Sequence, residues 1–363
     1  MKWSWKLGQV AGIGVYVHAT FLLLIGWVAL SHWLEDGTLA VVLAGVAFIL
    51  ALFTCVVLHE LGHALTARRF GIKTRDITLL PIGGVARLER MPDQPIQELW
   101  VALAGPAVNV VIAALLFVGL QITLGLESLS QLSVTRGSFW ERLMMVNVSL
   151  VLFNLIPAFP MDGGRVLRAL LALRMEYTRA TQVAASIGQG LAFLFGFIGL
   201  FTNPFLLFIA FFVWIGAAQE ASMVQMKSAL GGIPVSRAML TDFRTLSPHD
   251  SLARAVELVL TGAQQDFPVV GNGHVEGVLT RGDLLTALTQ QGQGALVRDV
   301  MRHEFQTVDS FEMLEKAFAR LQDCDCHTLP VTHNGRLVGL VTMDNVGEFL
   351  IIQAALRPAK STS

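Results

Sequence analysis

The chain has 363 residues, of which 53% are hydrophobic and 15% charged, and its mean hydropathy is +0.59. Ordinary soluble domains carry about 25% charged residues, so a disordered chain is excluded and a wholly soluble one disfavoured. The formal net charge of −1, with no basic patch, gives no support for nucleic acid as a partner. Residues 1–227 hold 15 Lys/Arg and 12 Asp/Glu, whereas the shorter stretch 228–363 holds 11 and 15. The first part therefore reads as a membrane domain and the second as a soluble one.

A spanning helix needs about 20 mostly apolar residues. Six stretches are predicted to span: Val15–Leu34, Leu39–Leu58, Leu99–Leu126, Leu143–Ile156, Val183–Phe201 and Phe205–Ala221. The fourth is short and ends in Pro157 and Pro160. Between the second and third, Ile77–Leu88 is apolar, too short to span, and broken by Pro81, Gly83 and Gly84. A re-entrant hairpin is expected there, because irregular backbone at membrane depth needs protein or a watery cavity to satisfy it. With the N-terminus in the cytosol, 13 Lys/Arg of the first 227 residues face the cytosol, and only Arg136 and Arg142 lie outside. The expected location is the cell membrane, multi-pass, with both termini cytoplasmic. Trp3, Trp5 and Trp100 fit an interfacial belt. No cleavable signal peptide is evident, and the loop Glu127–Glu141 is too short for an inserted domain. His18 and His32 are expected to be packing or interfacial residues.

The soluble part repeats itself at an offset of 62: Phe267-Pro-Val-Val270 matches Leu329-Pro-Val-Thr332, Asn272-Gly273 matches Asn334-Gly335, and Ala238-Met239 matches Val300-Met301. Gly277–Asp283 likewise matches Gly339–Asn345. Each unit is predicted as an amphipathic helix (Ser251–Leu260 and Phe311–Leu321), a strand, an Asn-Gly turn, a second strand and a helix. The repeats run over about 233–290 and 295–352. The fold class expected overall is a polytopic α-helical membrane domain, residues 1–227, with a re-entrant β-hairpin, followed by a soluble α/β domain, residues 228–363.

The second apolar run continues into His59-Glu60-Leu61-Gly62-His63. On a helix the two imidazoles, four residues apart, share a face and can bind one metal, and the intervening Glu can activate water. Ionisable side chains at the end of an apolar helix are expensive in hydrocarbon, so they default to a functional reading. A helix that merely leaves the membrane through a polar turn is the plainer alternative. A third ligand is available in Asp162, at the end of Asn154-Leu-Ile-Pro-Ala-Phe-Pro-Met-Asp-Gly-Gly164. Three protein ligands with an open position is the arrangement of a catalytic Zn²⁺. Pro157 and Pro160 break the fourth helix before Asp162, and Gly163-Gly164 allows close backbone approach. Asp162 could equally cap a helix over 164–174. Cys55, Cys324 and Cys326 make no disulfide framework and read as small buried or reduced thiols.

These residues resemble the site-2 protease family of intramembrane zinc metalloproteases, over residues 10–225. The likeness rests on His59–His63, the Gly83-Gly84 hairpin, Gly105-Pro106-Ala-Val-Asn109, and Asn154–Gly164. It implies a peptidase of membrane-protein substrates in which His59, His63 and Asp162 bind zinc and Glu60 is the base. By the same resemblance Asn109 stabilises the oxyanion, Asn154 holds the substrate strand, and Gly83-Gly84 offers a backbone edge. The repeats resemble a CBS pair, which implies a regulatory module that can dimerise or bind ATP or another adenine nucleotide. The matching positions are Thr280 and Asp283 in the first repeat and Thr342 in the second, where Asn345 replaces the acid. A transporter with a CBS tail, or a scaffold keeping zinc for structure alone, are the rival readings.

Overall fold

A computed structural model describes the chain except residues 1, 2, 91, 93, 125–136, 325–327 and 357–363. The chain divides into two compact units, Met1–Val224 and Gln225–Ser363.

The first unit begins with a hairpin, β1 (Ser4–Val10) and β2 (Ile13–His18), turned by Ala11 and Gly12, both at positive φ. Helices α1 (Ala19–Asp36) and α2 (Leu39–Arg69) follow, then strands β3 (Thr74–Leu80) and β4 (Gly83–Leu88). Next come α3 (Pro95–Leu124), α4 (Phe139–Asn154), α5 (Asp162–Ala172), α6 (Tyr177–Phe201) and α7 (Phe205–Leu230), the last running into the second unit. Among the described residues four helices are long and apolar enough to cross a membrane: α2, α3, α6 and α7. Phe193, Phe197, Phe208, Phe211 and Trp214 on α6 and α7 are exposed. Such an apolar surface belongs in lipid, and the chain is a multi-pass membrane protein.

Four of the six expected spans are thus present, and the other two differ in their bounds. The run beginning at Val15 is divided, because Val15–His18 lie in β2 and α1 starts only at Ala19, capped by the His18 side chain. With 18 residues α1 is about 27 Å long, and α4 with 16 is about 24 Å, against a hydrocarbon core of about 30 Å. The fourth run starts at Phe139, where Ser138 and Glu141 form a capping box, and stops at Asn154 ahead of Pro157. Most of the loop Glu127–Glu141 lies outside the described residues.

The segment Ile77–Leu88 does form an antiparallel hairpin, but as half of a four-stranded sheet ordered β1-β2-β3-β4. Strand β2 pairs parallel with β3, and β4 is the sheet edge. Ile13 and Ile77 of the sheet bury against Leu61 and Ala64 of α2, the helix that carries the His-Glu-x-x-His motif. Gly62 lets α3 approach α2 closely: a Cβ there would stand 2.8 Å from the Ala104 carbonyl oxygen. The sheet and α3 thus hold the motif between them.

In the second unit, β5 (Phe267–Gly271) and β6 (His274–Leu279) form one hairpin, and β8 (Thr328–His333) and β9 (Arg336–Thr342) another. Both turn on the expected Asn-Gly pairs, with Asn272, Gly273, Asn334 and Gly335 all at positive φ. The helices are α8 (Leu252–Thr261), α9 (Arg281–Gln291), α10 (Leu314–Asp323) and α11 (Met343–Leu356), and β7 (Val308–Asp309) runs parallel to β8. The repeats exchange their leading segments. Leu240, ahead of the first repeat's hairpin, bridges to Leu340 of the second, and Arg302 bridges back to Val278 of the first. A Cβ at Gly277 would meet Met301 Sδ at 2.7 Å, and one at Gly339 would meet Met239 Sδ at the same distance. Each repeat therefore completes the other's core, the physical reason a lone unit is not expected to fold. Cys55 is buried and free, whereas Cys324 is disulfide-bonded rather than a reduced thiol. It follows α10 in an extended conformation.

Candidate metal centre

Successive turns of α2 place His59 and His63 side by side, and the first residue of α5 brings Asp162 to them. Asp162 Oδ2 lies 3.2 Å from His59 Nε2 and 3.1 Å from His63 Nε2, and the two Nε2 atoms are 3.0 Å apart. All three side chains are buried. The proton positions make this triangle informative. His63 Nδ1 lies 2.7 Å from the Val101 carbonyl oxygen, which only accepts, so Nδ1 carries a proton and in the neutral ring Nε2 is bare. His59 Nδ1 is 2.5 Å from Asn109 Oδ1 and carries its proton for the same reason. Two bare nitrogens and a carboxylate oxygen thus face one another, an arrangement that a cation stabilises. A tetrahedral zinc with bonds of about 2.0–2.2 Å separates its ligand atoms by roughly 3.3–3.6 Å, a few tenths more than here. The donor set fits zinc, and among the described residues no other His/Cys/Asp/Glu group gathers in this way.

The surrounding backbone is shaped to this triangle. A Cβ on Gly105 of α3 would stand 2.2 Å from His63 Nε2 and 2.6 Å from His59 Nε2. No role was read for Gly105 beyond its place in the Gly-Pro motif; its neighbourhood is a tertiary fact. At Gly163 a Cβ would lie 2.2 Å from the Ile156 carbonyl oxygen, and at Gly164 2.6 Å from the Ala158 carbonyl carbon. This is the close approach expected of the Gly-Gly pair. Asp162 is the first residue of α5 and Met161 its N-cap, so Asp162 is not spent on capping. Six residues on, Arg168 is fully buried and paired at 2.5 Å with both Glu98 of α3 and Glu220 of α7. Its guanidinium also lies over the rings of Phe159 and Tyr177. The sequence reading missed this anchor of α5, counting Arg168 only as a cytosolic charge.

Glu60 stays outside the ligand triangle, and its Oε2 accepts a 3.3 Å hydrogen bond from the Ala86 backbone N–H on β4. Gly84 makes room for it, since a Cβ there would be 2.7 Å from Glu60 Cγ. Gly83, at φ +138, begins the same edge strand, and Asn154 ends α4, partly buried. Asn109, expected at the oxyanion, stands behind His59. Its Oδ1 faces His59 Nδ1, on the ring side away from the triangle, and its Nδ2 donates to Asn147 Oδ1 at 2.8 Å. Both polar ends are engaged and the side chain is fully buried.

In the second unit, Thr280 caps α9 and donates to Asp283 Oδ2 at 2.5 Å, while Arg302 bonds both oxygens of that carboxylate. Burial opposes ionisation of Asp283, but the bonds from Arg302 and Thr280 outweigh it and hold the carboxyl below its ordinary range. The equivalent Thr342 accepts from the Asn345 N–H and lines a cavity of about 900 Å³ with Asp242, Arg244 and Asn345. Asn345 Oδ1 is buried without a hydrogen-bond partner. The two half-sites therefore differ: one is occupied by an internal ion pair, the other is open.

The sequence is 31% identical over 347 residues to a zinc metalloprotease of Methanocaldococcus jannaschii, covering 95% of this chain and 96% of that one. It matches peptidase family M50 over residues 47–196. The chain belongs to peptidase family M50. It matches the CBS domain twice, over 235–290 and 297–351. The stage IV sporulation protein FB of Bacillus subtilis is 30% identical over 157 residues, 43% of this chain and 51% of that one. Among solved structures, the site-2 protease from Methanocaldococcus jannaschii is 36% identical, with a TM-score of 0.45, over 60% of this chain and 95% of that one. This M50 chain thus carries a CBS pair beside its peptidase domain, and the His-His-Asp triangle suits the zinc of a metalloprotease of this family.

Proposed function

We propose that this enzyme hydrolyses peptide bonds within or beside the transmembrane segments of other membrane proteins. The observation that carries the reading is the convergence of two imidazole nitrogens and one carboxylate at apolar spanning helices, with Glu60 outside that ligand set and bonded to a sheet edge. His59, His63 and Asp162 hold the zinc, which when bound supplies a Lewis acid for the scissile carbonyl. Glu60 takes a proton from the attacking water and passes it to the leaving amine nitrogen. A transmembrane substrate hides its carbonyls in helical hydrogen bonds and must be unwound to react. Strand addition to β4 at Gly83-Gly84 satisfies the freed backbone groups, and Asn154 holds the strand's other side. The excess of Lys and Arg on one set of loops supports cytoplasmic termini.

The CBS pair regulates this activity by taking up an adenine nucleotide. The open cleft at Thr342 and Asn345 supports that reading better than Thr280 and Asp283, which already satisfy each other and Arg302. The test is Glu60→Gln expressed in native membranes. The variant is expected to retain zinc and to accumulate uncut membrane proteins that the wild type cleaves. Equal cleavage by the two forms refutes the assignment of Glu60, and absence of any cleavage product from the wild type refutes the protease reading.

A further inference from the structure

Behind His59 runs a buried polar chain that the reaction itself does not use. Asn147, on α4, donates from Nδ2 to the Leu143 carbonyl oxygen at 2.8 Å and to Cys55 Sγ at 3.4 Å. Asn147 Oδ1 accepts from Asn109 Nδ2, and Asn109 Oδ1 faces His59 Nδ1. Both asparagines have no exposed surface, so water cannot substitute for any of these partners. An amide side chain can be flipped, and a histidine can carry its proton on either nitrogen. Here each choice follows from the one before it. The Leu143 carbonyl only accepts, so the Asn147 amino group must face it and the Asn147 oxygen must face Asn109. The Asn109 amino group then faces Asn147, which leaves its oxygen to take the proton on His59 Nδ1. The consequence is a bare His59 Nε2, the form a metal requires. His63 has its proton set directly by the Val101 carbonyl, whereas the proton on His59 is set at two removes.

We propose that Asn147 is a positioning residue for the metal centre: through the Asn109 amide it fixes the tautomer and ring orientation of His59. The inference rests on the reading of His59 as a zinc ligand and adds a determinant on a helix that supplies no ligand. It also accounts for a fully buried asparagine at the centre of α4, where an apolar side chain packs at lower desolvation cost.

The test is zinc affinity of the full-length, detergent-solubilised chain, by chelator competition, for the wild type, Asn147→Leu and Asn147→Asp. Leucine keeps the branched outline, with bulkier methyl tips, and removes both polar functions. A buried, protonated aspartic acid keeps them, accepting from Asn109 and donating to the Leu143 carbonyl. Asn147→Leu is expected to bind zinc about 10–100-fold more weakly, the usual loss for a partner behind a metal ligand, and Asn147→Asp to recover most of it. Nitrogen-15 spectra of labelled histidine are expected to show His59 protonated at Nδ1 in the zinc-free wild type and as a tautomer mixture in Asn147→Leu. If Asn147→Leu does not fold, Asn147→Ala carries the same expectations. Unchanged zinc affinity in the apolar variant overturns the proposal, as does an equal loss in the leucine and aspartate variants, because the aspartic acid restores both polar functions. A wild type that takes up no zinc refutes the metal reading itself, and this inference falls with it.

Discussion

Gly105 offers a sharp test because the side chains packed against it are the two imidazoles themselves. An added Cβ would sit 2.2 Å from His63 Nε2 and 2.6 Å from His59 Nε2. A carbon and a nitrogen in contact need roughly 3.5 Å, so the His63 ring has to retreat by more than 1 Å, as a rough estimate. It cannot swing freely, since its Nδ1 is held by Val101 and its neighbour's by Asn109. Ligand distances in a working zinc site tolerate only about ±0.2 Å. Gly105→Ala is therefore expected to lose zinc affinity by about 100-fold or more. Overpacking of this kind costs about 1–3 kcal/mol of stability, so the protein is expected still to fold. Gly119→Ala on the same helix, where among the described residues nothing lies within 4 Å of the added carbon, is the control. Metal content after dialysis, with a thermal melt of the zinc-free chain, reads both effects. One zinc retained per chain in Gly105→Ala, with wild-type cleavage, refutes the reasoning.

Gly84→Ala brings a carbon to within 2.7 Å of Glu60 Cγ without touching the ligands. Cleavage is expected to fall by about 100-fold with zinc content unchanged, and joint loss of both would contradict the separation of base from ligands. Arg168→Met leaves Glu98 buried without its cation and is expected to destabilise the first unit by about 3–5 kcal/mol; a melting temperature equal to that of the wild type opposes this. Asp283 is held below its ordinary carboxyl range, so its contribution to stability is present above about pH 4 and lost as acid titrates it through its lower folded value. Asp283→Asn is accordingly expected to be less stable than the wild type at neutral pH, with the gap closing in acid; a gap that does not narrow at all as acid is added would refute it.

The metal centre was legible because its chemistry is local. The His59–His63 spacing is one helical turn, and the two prolines before Asp162 announce a helix break. The Asn-Gly turns and the 62-residue offset were legible for the same reason. Other features depend on tertiary contacts. Val15–His18 reads as the start of a spanning run because its alternation with Ile13, buried at every second residue, is masked by the apolar helix that follows. The sheet that cradles α2 was missed with it. The Arg168 anchor and the Asn147–Asn109–His59 chain join residues between 38 and 70 positions apart, and no periodicity or motif marks such pairs. Asn109 illustrates the limit of resemblance: the motif places the residue beside the metal centre, but only the fold shows that its oxygen faces His59 and its amino group donates to Asn147.

X-ray absorption at the zinc edge of the purified full-length chain tests the central claim most directly. The account predicts one zinc per chain with two imidazole nitrogens and one carboxylate oxygen among its ligands, and loss of the oxygen shell in Asp162→Ala. A site that keeps the same ligand shell after that substitution, or wild-type protein in which zinc is absent or bound through sulfur, would contradict it.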